Sequence, residues 1–437
     1  MRNWIFFAVI SITMLASCPG ADNSEELIEI LYGKPKKENQ WGDLGVNTPN
    51  NIGNTFTADP KTTRTITWQS TINTGEVILN GNKRYPSTCT AYDLDIEDGV
   101  YETSYFHRVD ITGLSPGKTY WFIVGGIAGA YRYYSPIYNF KTESTAYPDG
   151  FSVIHITDPQ IGTRGPEGAG TVKTDAAVWK RTIEAAIEKC PDPAFIANTG
   201  DIVNNNNERR IPYYFDYAQE ILAKYAFVYS LGNNDSLDWY NRYFYLYNNK
   251  YDHRNEGDSG VLYSFDYCNT HFISINFDYG SYDDDDTEQN FDLSTEQRSW
   301  LENDLANTAK KWKVVMMHKP EFARKDSANV NVILTSIFDN YDVDLVMAGH
   351  YHFYARSNAI NWKGEFKENG TVWTIPNSAG TKYNDLSGRE YLATDKKIEL
   401  PVFTELTFTT ENIFLNAYTV DSDGVMELID TYSWLDY

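Results

Sequence analysis

The sequence has little positive charge, few cysteines and no long apolar run beyond its first residues. Only 37 lysines and arginines stand against 60 aspartates and glutamates among 437 residues, which gives a formal net charge of −23. The electrostatic field of this negative charge repels polyanions, so we expect neither a nucleic acid nor an anionic membrane surface as the main partner. A small anionic ligand remains compatible, because metal ions bound in an acidic cleft would make that cleft locally positive.

The four cysteines do not form a disulfide framework. Cys18 belongs to the N-terminal segment, and the other three are an odd, widely spaced set that also lacks the spacing of a zinc knuckle. We expect buried thiols at Cys190 and Cys268, with one disulfide as the alternative. Cys89 is the remaining member of this set.

The N-terminus has the pattern of an export signal over residues 1–17. Arg2 precedes an apolar run from Trp4 to Ala16, which is too short to span a bilayer comfortably. The phrase Leu15-Ala16-Ser17-Cys18 resembles a bacterial lipobox, in which Cys18 would carry the lipid. We therefore expect an exported, membrane-anchored lipoprotein that faces the periplasm or the cell exterior. An ordinary signal peptide with a chance cysteine is the alternative.

The remaining chain divides into two patterns. Residues 18–54 suit a tether and connecting segment, and residues 55–142 contain short alternating runs separated by Gly, Pro and Asn. Such runs predict an all-β antiparallel sandwich, and Leu114 to Tyr120 resembles a corner of fibronectin type III-like domains. After a short linker, residues 150–437 alternate strand-like runs with helices, which indicates an α/β domain of two packed mixed sheets flanked by helices. The tail from Val402 to Tyr432 is expected to form the second sheet.

Five apolar runs of the α/β segment each end in residues that can bind a metal ion. Because ligands bind beyond the carboxyl ends of strands in open α/β sheets, we expect these residues to converge. Oxygen and nitrogen donors without a thiolate suit Zn, Mn or Fe. The donors are Asp158 and Gln160, then Asp201, then Asn233, then His318, and finally His350 and His352.

The last of these runs ends in His350-Tyr351-His352, preceded by Gly349. In an extended segment the two imidazoles would point the same way about 6.5 Å apart, so each could hold one ion of a pair. Gly349 is expected to let the backbone come close to its neighbours.

Taken together, these motifs resemble the calcineurin-like metallophosphoesterases, and specifically the purple acid phosphatase branch. Further matching phrases are His318-Lys319-Pro320 and Asn377-Ser378-Ala379-Gly380, and the resemblance covers about residues 55–435. It implies a sandwich in front of a domain with two di- or trivalent metal ions. It also implies hydrolysis of phosphate monoesters or diesters in a small phosphorylated substrate.

The resemblance also implies a role for each donor. Asp158, Asp201 and His352 would hold one ion, Asp201 would bridge to the second, and Asn233, His318 and His350 would complete that second site. Asn234 and Asp235 follow in the same motif and are the candidate catalytic residues, with Asn234 also expected to contact substrate. Two such ions would activate water near neutral pH.

Three positions depart from the family pattern. Gln160 stands where many relatives have His, and its amide would coordinate weakly. Asn204 stands where purple phosphatases have Tyr, so we expect no purple colour. Asn234 stands where the family has a His that helps to protonate the leaving group. An amide cannot supply that proton, and general acid catalysis is typically worth about 10²–10⁴-fold.

Several other residues have weaker signals. His253 and Arg356 are candidate substrate contacts, with an ordinary surface histidine and a carboxylate-paired arginine as the respective alternatives. His155, His271 and His107 are expected to be structural. The acidic run from Asp283 to Asp286 is expected to be a solvated loop, since no calcium-loop spacing accompanies it.

Two further classes of function stay open. The first is a degenerate surface protein that binds metal or a phosphorylated ligand without turnover. The loss of the family's His at Asn234 favours this class, whereas the retention of nearly every metal donor favours the hydrolase. An adhesion protein built on the sandwich would not explain those donors at all. For the sandwich itself, the sequence leaves a spacer, a dimer surface and part of the cleft rim as alternatives.

Overall fold

A computed structural model describes residues 48–56, 58–97, 99–129, 131–147, 149–163, 172–245, 262–275, 295–320, 333–384, 392–396 and 398–434. The predicted signal peptide, Cys18, His253 and the acidic run 283–286 lie outside these residues. Within the described part, no helix has the length and apolar character needed to cross a membrane.

The N-terminal domain consists of two antiparallel sheets. One sheet has the strand order β1-β2-β6-β5, and the other has the order β4-β3-β7-β8, with β9 also paired to β7. Alternating apolar residues of the two sheets meet in a core that includes Trp68, Val77 and Phe122. The strands are β1 Asn50–Thr55, β2 Arg64–Ser70, β3 Glu76–Leu79, β4 Lys83–Pro86, β5 Thr88–Glu97, β6 Val100–Ile111, β7 Thr119–Ala128, β8 Tyr131–Tyr134 and β9 Tyr138–Lys141.

The C-terminal domain packs two mixed sheets. The first has the order β12-β11-β10-β20-β21-β22 and the second the order β13-β14-β15-β16-β18-β17-β19. The strands are β10 Phe151–Ile156, β11 Phe195–Asn198, β12 Phe227–Tyr229, β13 Leu262–Tyr267, β14 Thr270–Ile275, β15 Trp312–Met317, β16 Leu345–Met347, β17 Tyr354–Ser357, β18 Val372–Ile375, β19 Leu392–Lys396, β20 Val402–Phe408, β21 Ile413–Val420 and β22 Met426–Ser433. The expected two-domain architecture is therefore confirmed.

Helices accompany both sheets of this domain. They are α1 Val172–Lys189, α2 Ile211–Lys224, α3 Leu237–Tyr243, α4 Thr295–Asn307 and α5 Ile333–Asn340. The apolar side of α1 places Trp179, Ile183 and Ala186 in the core, as the i, i+4, i+7 spacing predicts. The Trp179 ring stacks on Tyr214 of α2 with ring centroids 4.8 Å apart.

The two domains share an interface built on β1 and α2. The Gln219 side chain accepts a hydrogen bond from the Ile52 N–H at 2.9 Å and donates to the Ile52 carbonyl at 2.8 Å. Asn54 donates to the last carbonyls of α2. Phe106 of β6 packs edge-on against Tyr243 of α3, with ring centroids 4.9 Å apart. Apolar packing and paired polar groups thus fix the sandwich beside the α/β domain.

Two details differ from the sequence-based expectations. The tail does not form the second sheet, because β20 pairs antiparallel with β10 and so extends the first sheet. All but the last residue of the strand β1 lies within the segment expected to be a connection, because its Asn- and Gly-rich sequence has no clear alternation. Both assignments depend on pairing between distant segments, which a local pattern does not encode.

Candidate metal centre

The candidate site forms where the carboxyl ends of strands from both sheets meet. The loops after β10, β11 and β12 come from the first sheet, and those after β15 and β16 come from the second. Backbone bonds join neighbouring loops. The Asp158 N–H donates to the Gly200 carbonyl at 3.0 Å, and the Gly349 N–H donates to the His318 carbonyl at 2.9 Å. The predicted convergence of these loops is present in the structure.

The backbone at this site has an unusual concentration of left-handed residues. Side chains other than glycine rarely adopt positive φ, and each such residue costs roughly 1–3 kcal/mol unless its surroundings hold it. The residues are Asp158 (φ 50°), Gln160 (φ 38°), Asp201 (φ 54°), His350 (φ 74°) and His352 (φ 54°). The His350-Tyr351-His352 segment is therefore not extended, which corrects the sequence-based expectation. The left-handed backbone conformation at His350 and at His352 sets the direction of each imidazole separately.

Two glycines allow the loops to approach one another. Gly200 has φ +105°, and a side-chain carbon there would lie 2.8 Å from His318 Nδ1. A side-chain carbon on Gly349 would lie 2.0 Å from Thr157 Oγ1 and 2.8 Å from Asp158 Oδ2. These distances exclude any larger residue, so both glycines are required for the two sheets to meet here.

Potential ligand atoms of Asp158, Asp201 and His318 all lie within 4.8 Å of one another, and all three side chains are buried. His318 Nε2 lies 3.3 Å from Asp201 Oδ1 and 3.2 Å from Asn233 Oδ1. His352 Nε2 lies 3.4 Å from Asp158 Oδ1. The His350 ring stands edge-on to His318, with centroids 5.3 Å apart. The predicted donors of both ions thus occupy one small volume.

Two buried oxygens show that these residues fit a bound cation. Asp158 Oδ1 and Gln160 Oε1 accept no hydrogen bond from any residue that the structure describes. A buried acceptor without a partner costs about 1–3 kcal/mol, and more when it is charged. Cations satisfy such oxygens directly, and the mixed carboxylate, amide and imidazole donors suit Zn, Mn or Fe.

Comparison with known families agrees with this geometry. The calcineurin-like phosphoesterase family matches residues 151–354, and the purple acid phosphatase N-terminal domain matches residues 49–142. The chain therefore carries a calcineurin-like phosphoesterase domain behind a purple acid phosphatase N-terminal domain. The family resemblance expected from the motifs is confirmed.

The chain is similar to several purple acid phosphatases. Purple acid phosphatase 15 of Arabidopsis thaliana is 24% identical over an alignment of 323 residues that covers 65% of this chain but only 56% of that protein. Acid phosphatase type 7 of Mus musculus is 23% identical over 393 residues, covering 82% of this chain and 76% of the mouse protein.

Solved structures share the fold at low sequence identity. Purple acid phosphatase PPD1 from yellow lupin (Lupinus luteus) seeds aligns with a TM-score of 0.70 at 17% identity, covering 89% of this chain and 74% of that one. A structure of PhoD aligns with a TM-score of 0.60 at 12% identity and covers 91% of both chains. Both comparisons support the two-domain architecture.

Buried charges act on the histidines of the candidate metal centre. Burial alone would lower the pKa of His318, but the charges of Asp201 and Asp158 and a hydrogen bond to Asp201 raise that pKa to about 9. Burial lowers the pKa of His350, and the neighbouring charge of His318 lowers it further. The two carboxylates thus create a strongly negative local field, and that field favours any cation, whether a proton or a metal ion.

Both carboxylate oxygens of Asp235 accept hydrogen bonds from backbone N–H groups, which gives this residue a positioning role, and its expected catalytic role stays a prediction. Its Oδ2 accepts hydrogen bonds from the N–H groups of Asp201 at 2.8 Å and Gly232 at 2.9 Å, and its Oδ1 accepts from Ile202 at 2.9 Å. Burial and the charge of Asp201 raise the pKa of Asp235 to about 7. This carboxyl joins the loops after β11 and β12.

Both polar atoms of the Asn234 side chain form hydrogen bonds with other residues of the protein. Its backbone N–H donates to Asp201 Oδ1 at 2.8 Å, and its side-chain Nδ2 donates to Asp201 Oδ2 at 2.7 Å. Its Oδ1 accepts a hydrogen bond from the Asn205 N–H at 3.0 Å. The predicted contact of Asn234 with substrate stays a prediction. The structure adds that Asn234 orients the carboxylate expected to bridge the two ions.

Arg356 forms the carboxylate pair that was the alternative to substrate binding. Its Nε lies 2.7 Å from Asp430 Oδ2 and its Nη2 lies 3.2 Å from Asp430 Oδ1. The guanidinium also lies 4.3 Å from the centre of the Tyr432 ring. These two hydrogen bonds join β17 to β22, so the Arg356 guanidinium is paired with the Asp430 carboxylate.

The other histidines have structural contacts, as expected. His155 is fully buried beside Thr199 Oγ1, and burial lowers its pKa to about 3. His271 lies between Asp266 and Asp304, and His107 stacks on Trp68 with ring centroids 4.8 Å apart. The three described cysteines are free thiols, but only Cys190 is fully buried, because Cys268 lies at the turn between β13 and β14.

Three further residues support the site, and the sequence assigned none of them a role. Thr157 donates to Asp158 Oδ2 at 2.7 Å, and Ser378 donates to the Asp158 carbonyl at 2.6 Å. The buried carboxylate of Asp175 accepts from the Gly162 N–H at 2.8 Å and from Thr381 Oγ1 at 2.5 Å. Only Ser378 had a local signal, through the phrase Asn377-Ser378-Ala379-Gly380. The other two act through contacts that the local pattern does not reveal.

Proposed function

We propose that this chain hydrolyses phosphate monoesters or diesters at a centre of two di- or trivalent metal ions. Asp158, Asp201 and His352 would hold one ion, and Asn233, His318 and His350 would hold the other with Asp201 between them. Gln160 would add a weak ligand. The observation that carries this proposal is the buried cluster of Asp158, Asp201 and His318, in which Asp158 Oδ1 has no described hydrogen-bond partner.

The protein residues would prepare the site for chemistry that the ions supply. The ions would provide Lewis-acid activation of water and neutralise charge on the phosphate. Asn234 and Asp235 hold the Asp201 carboxylate and its loop in place, which limits the reorganisation needed during reaction. The hydrogen bond from His318 Nδ1 to the Thr199 carbonyl, 2.7 Å long, leaves Nε2 directed at Asp201 and Asn233.

The proposed activity is tested with metal-loaded protein and two substrates, 4-nitrophenyl phosphate and bis(4-nitrophenyl) phosphate. We expect hydrolysis of at least one of them, and we expect Asp201→Asn to remove it. Asp238→Asn is a matched control, because Asp238 is an exposed carboxylate on α3. Hydrolysis that survives Asp201→Asn would reject the two-ion proposal.

A second candidate function is a surface protein that binds metal or a phosphorylated ligand without turnover. The observation that favours it is Asn234, which stands at the family's histidine and whose amide is held by Asp201 and Asn205. Calorimetric binding of phosphate to metal-loaded protein that hydrolyses neither ester would support this alternative. It would also reject the hydrolase proposal.

We also propose that the chain is exported and anchored to a membrane through a lipid on Cys18. The support is the apolar run from Trp4 to Ala16 followed by Leu15-Ala16-Ser17-Cys18. Mass spectrometry of the membrane fraction should find a mature N-terminus at lipidated Cys18. A mature N-terminus at another residue would reject the anchor.

A further inference from the structure

Beside the interface of the two domains, a cleft of about 560 Å³ lies between the sandwich and the phosphoesterase domain. One wall is the end of the β5–β6 hairpin, from Leu94 to Glu97, and the other is the turn from Asn205 to Arg209. Tyr213 at the start of α2 also lines it. Small-molecule sites typically enclose roughly 300–1,000 Å³. The cleft is therefore large enough for an organic group of one or two rings.

The turn that forms one wall is also bonded to the candidate metal centre. Asn205 lines the cleft, and its N–H donates to Asn234 Oδ1 at 3.0 Å. Asn234 in turn donates to Asp201 Oδ2 at 2.7 Å. Two hydrogen bonds thus lead from the cleft wall to the carboxylate that would bridge the ions. None of the candidate metal donors lines the cleft, so the organic part of a phosphoester bound at that centre would extend past Asn234 to reach it.

The wall is rigidly held by contacts with both domains. Arg242 of α3 pairs with Glu208 at 2.7 Å, and its guanidinium lies 4.5 Å from the centre of the Tyr92 ring in β5. Asn206 Oδ1 accepts a hydrogen bond from Trp239 Nε1 at 2.6 Å. Such bracing lowers the cost of ordering the wall when a ligand binds.

The polar groups of the cleft favour a ligand with several hydroxyl groups, which both donate and accept hydrogen bonds. Its lining includes the carboxylates of Asp95, Glu97 and Glu208 against the cations Lys173 and Arg209. The lining also carries the side-chain amides of Gln69, Asn205, Asn206 and Asn207, so the walls offer both hydrogen-bond acceptors and donors. The excess of carboxylates also disfavours a second phosphate group in this space.

We infer that this cleft binds the organic group of the phosphoester and selects sugars or other polyols. The inference rests on the proposed function. Hydroxyl groups would donate to the carboxylates and side-chain amides, while Leu94, Ile96 and Tyr213 would cover the carbon skeleton. The sandwich is then part of the substrate site rather than a spacer.

The test compares Asp95→Ala with the matched control Asp93→Ala. Asp93 lies on the same strand, is exposed and accepts a hydrogen bond from Thr103 Oγ1 at 2.6 Å, but it does not line the cleft. For glucose 6-phosphate we expect Asp95→Ala to raise KM about tenfold, the equivalent of one charge-assisted hydrogen bond, with kcat within about twofold. For 4-nitrophenyl phosphate, which lacks hydroxyl groups, both constants should stay within about twofold.

A second readout needs no turnover. Saturation-transfer NMR of metal-free protein with glucose 6-phosphate should show sugar protons in contact with the wild type and with Asp93→Ala, and weaker contact with Asp95→Ala. Equal contact in all three proteins would overturn the inference. So would equal losses of kcat/KM for both substrates, or a wild type that hydrolyses 4-nitrophenyl phosphate but gains nothing from the sugar. Sugar contact that depends on Asp95 without hydrolysis of either ester would reject the hydrolase and keep the binding site.

Discussion

The two sheets of the phosphoesterase domain contribute unlike halves of the candidate metal centre. Loops after the first sheet supply carboxylate and amide oxygens, and loops after the second supply imidazoles. The oxygen half is held by several N–H groups, two of them on Asp201 from Asn234 alone. His318 and His352 each contact one backbone carbonyl through Nδ1.

This difference separates two requirements of a metal site. The negative charge that attracts a cation lies on Asp158 and Asp201, in the loops after the first sheet. Hydrogen bonds from backbone N–H groups hold both carboxylates in place. The imidazoles that complete the coordination arrive from the second sheet. Substitutions in the two halves should therefore have unequal effects.

The largest expected effect comes from Asp158→Asn, compared with His352→Asn in the other half. We expect hydrolysis of 4-nitrophenyl phosphate to fall about 10³-fold for Asp158→Asn and about 10²-fold for His352→Asn, since a charged contact is roughly twice as strong as a neutral one. Metal affinity, measured by competition with a chelator, should fall in the same order. Equal losses would contradict the division between the halves.

Asn234→His should act in the opposite direction by restoring the family's proton donor. We expect kcat to rise by up to about 10²-fold on an alkyl phosphate and by less on 4-nitrophenyl phosphate, whose leaving group needs little protonation. Steady-state kinetics on both substrates measure this difference. An unchanged kcat on the alkyl ester would show that a missing acid is not what limits this chain.

Asp235→Asn should weaken the oxygen half without removing a metal donor. The amide NH₂ would face backbone N–H groups that now donate to the carboxylate, so we expect metal affinity to fall about 10–100-fold. Unfolding by urea should show a loss of about 2 kcal/mol for the unpaired buried groups. The exposed Asp238→Asn is again the control. Unchanged metal affinity in Asp235→Asn would leave Asp235 without its positioning role.

The smallest effect concerns His271, which lies in the second sheet. Burial lowers its pKa, but hydrogen bonds and charges from Asp266 and Asp304 more than offset this and raise it to about 9. Because the folded pKa exceeds the ordinary value near 6.5, the contribution to stability is complete below pH 6.5 and is lost as the pH rises to about 9.

Urea unfolding between pH 6 and pH 9.5 measures this contribution. The wild type should lose roughly 2 kcal/mol more of its free energy of unfolding than His271→Gln over that range. The two proteins should differ most below pH 6.5. Parallel pH profiles for the two proteins would show that the pair of carboxylates does not hold the proton on His271.

Most of the candidate metal centre could be predicted because each donor directly follows a buried apolar run. Asp158, Asp201 and His318 each lie one to three residues beyond a strand, and the topology brings strand ends together. The conformation of His350 and His352 could not be predicted, because their left-handed turns depend on contact with the Asp158 loop. The His350 N–H, for example, donates to Asp158 Oδ2 at 2.8 Å.

The fold, too, could be predicted only where the local sequence pattern determines the structure. Helix α1 and the strands with apolar alternation could be located from periodicity. The strand β5 cannot be located in this way, because it is largely exposed and carries polar residues on both faces. The pair of Arg356 with Asp430 joins residues 74 positions apart, and the buried Asp175 acts through Gly162 and Thr381. Contacts of this kind depend on the finished packing rather than on local sequence.

The most direct test of the central claim is the number of metal ions that each chain binds. Purified protein loaded with Zn, Mn or Fe, freed of excess metal and measured by elemental mass spectrometry, should carry two ions per chain. Asp201→Asn should carry fewer than one. A wild-type chain that retains no metal ion after every loading would contradict the account.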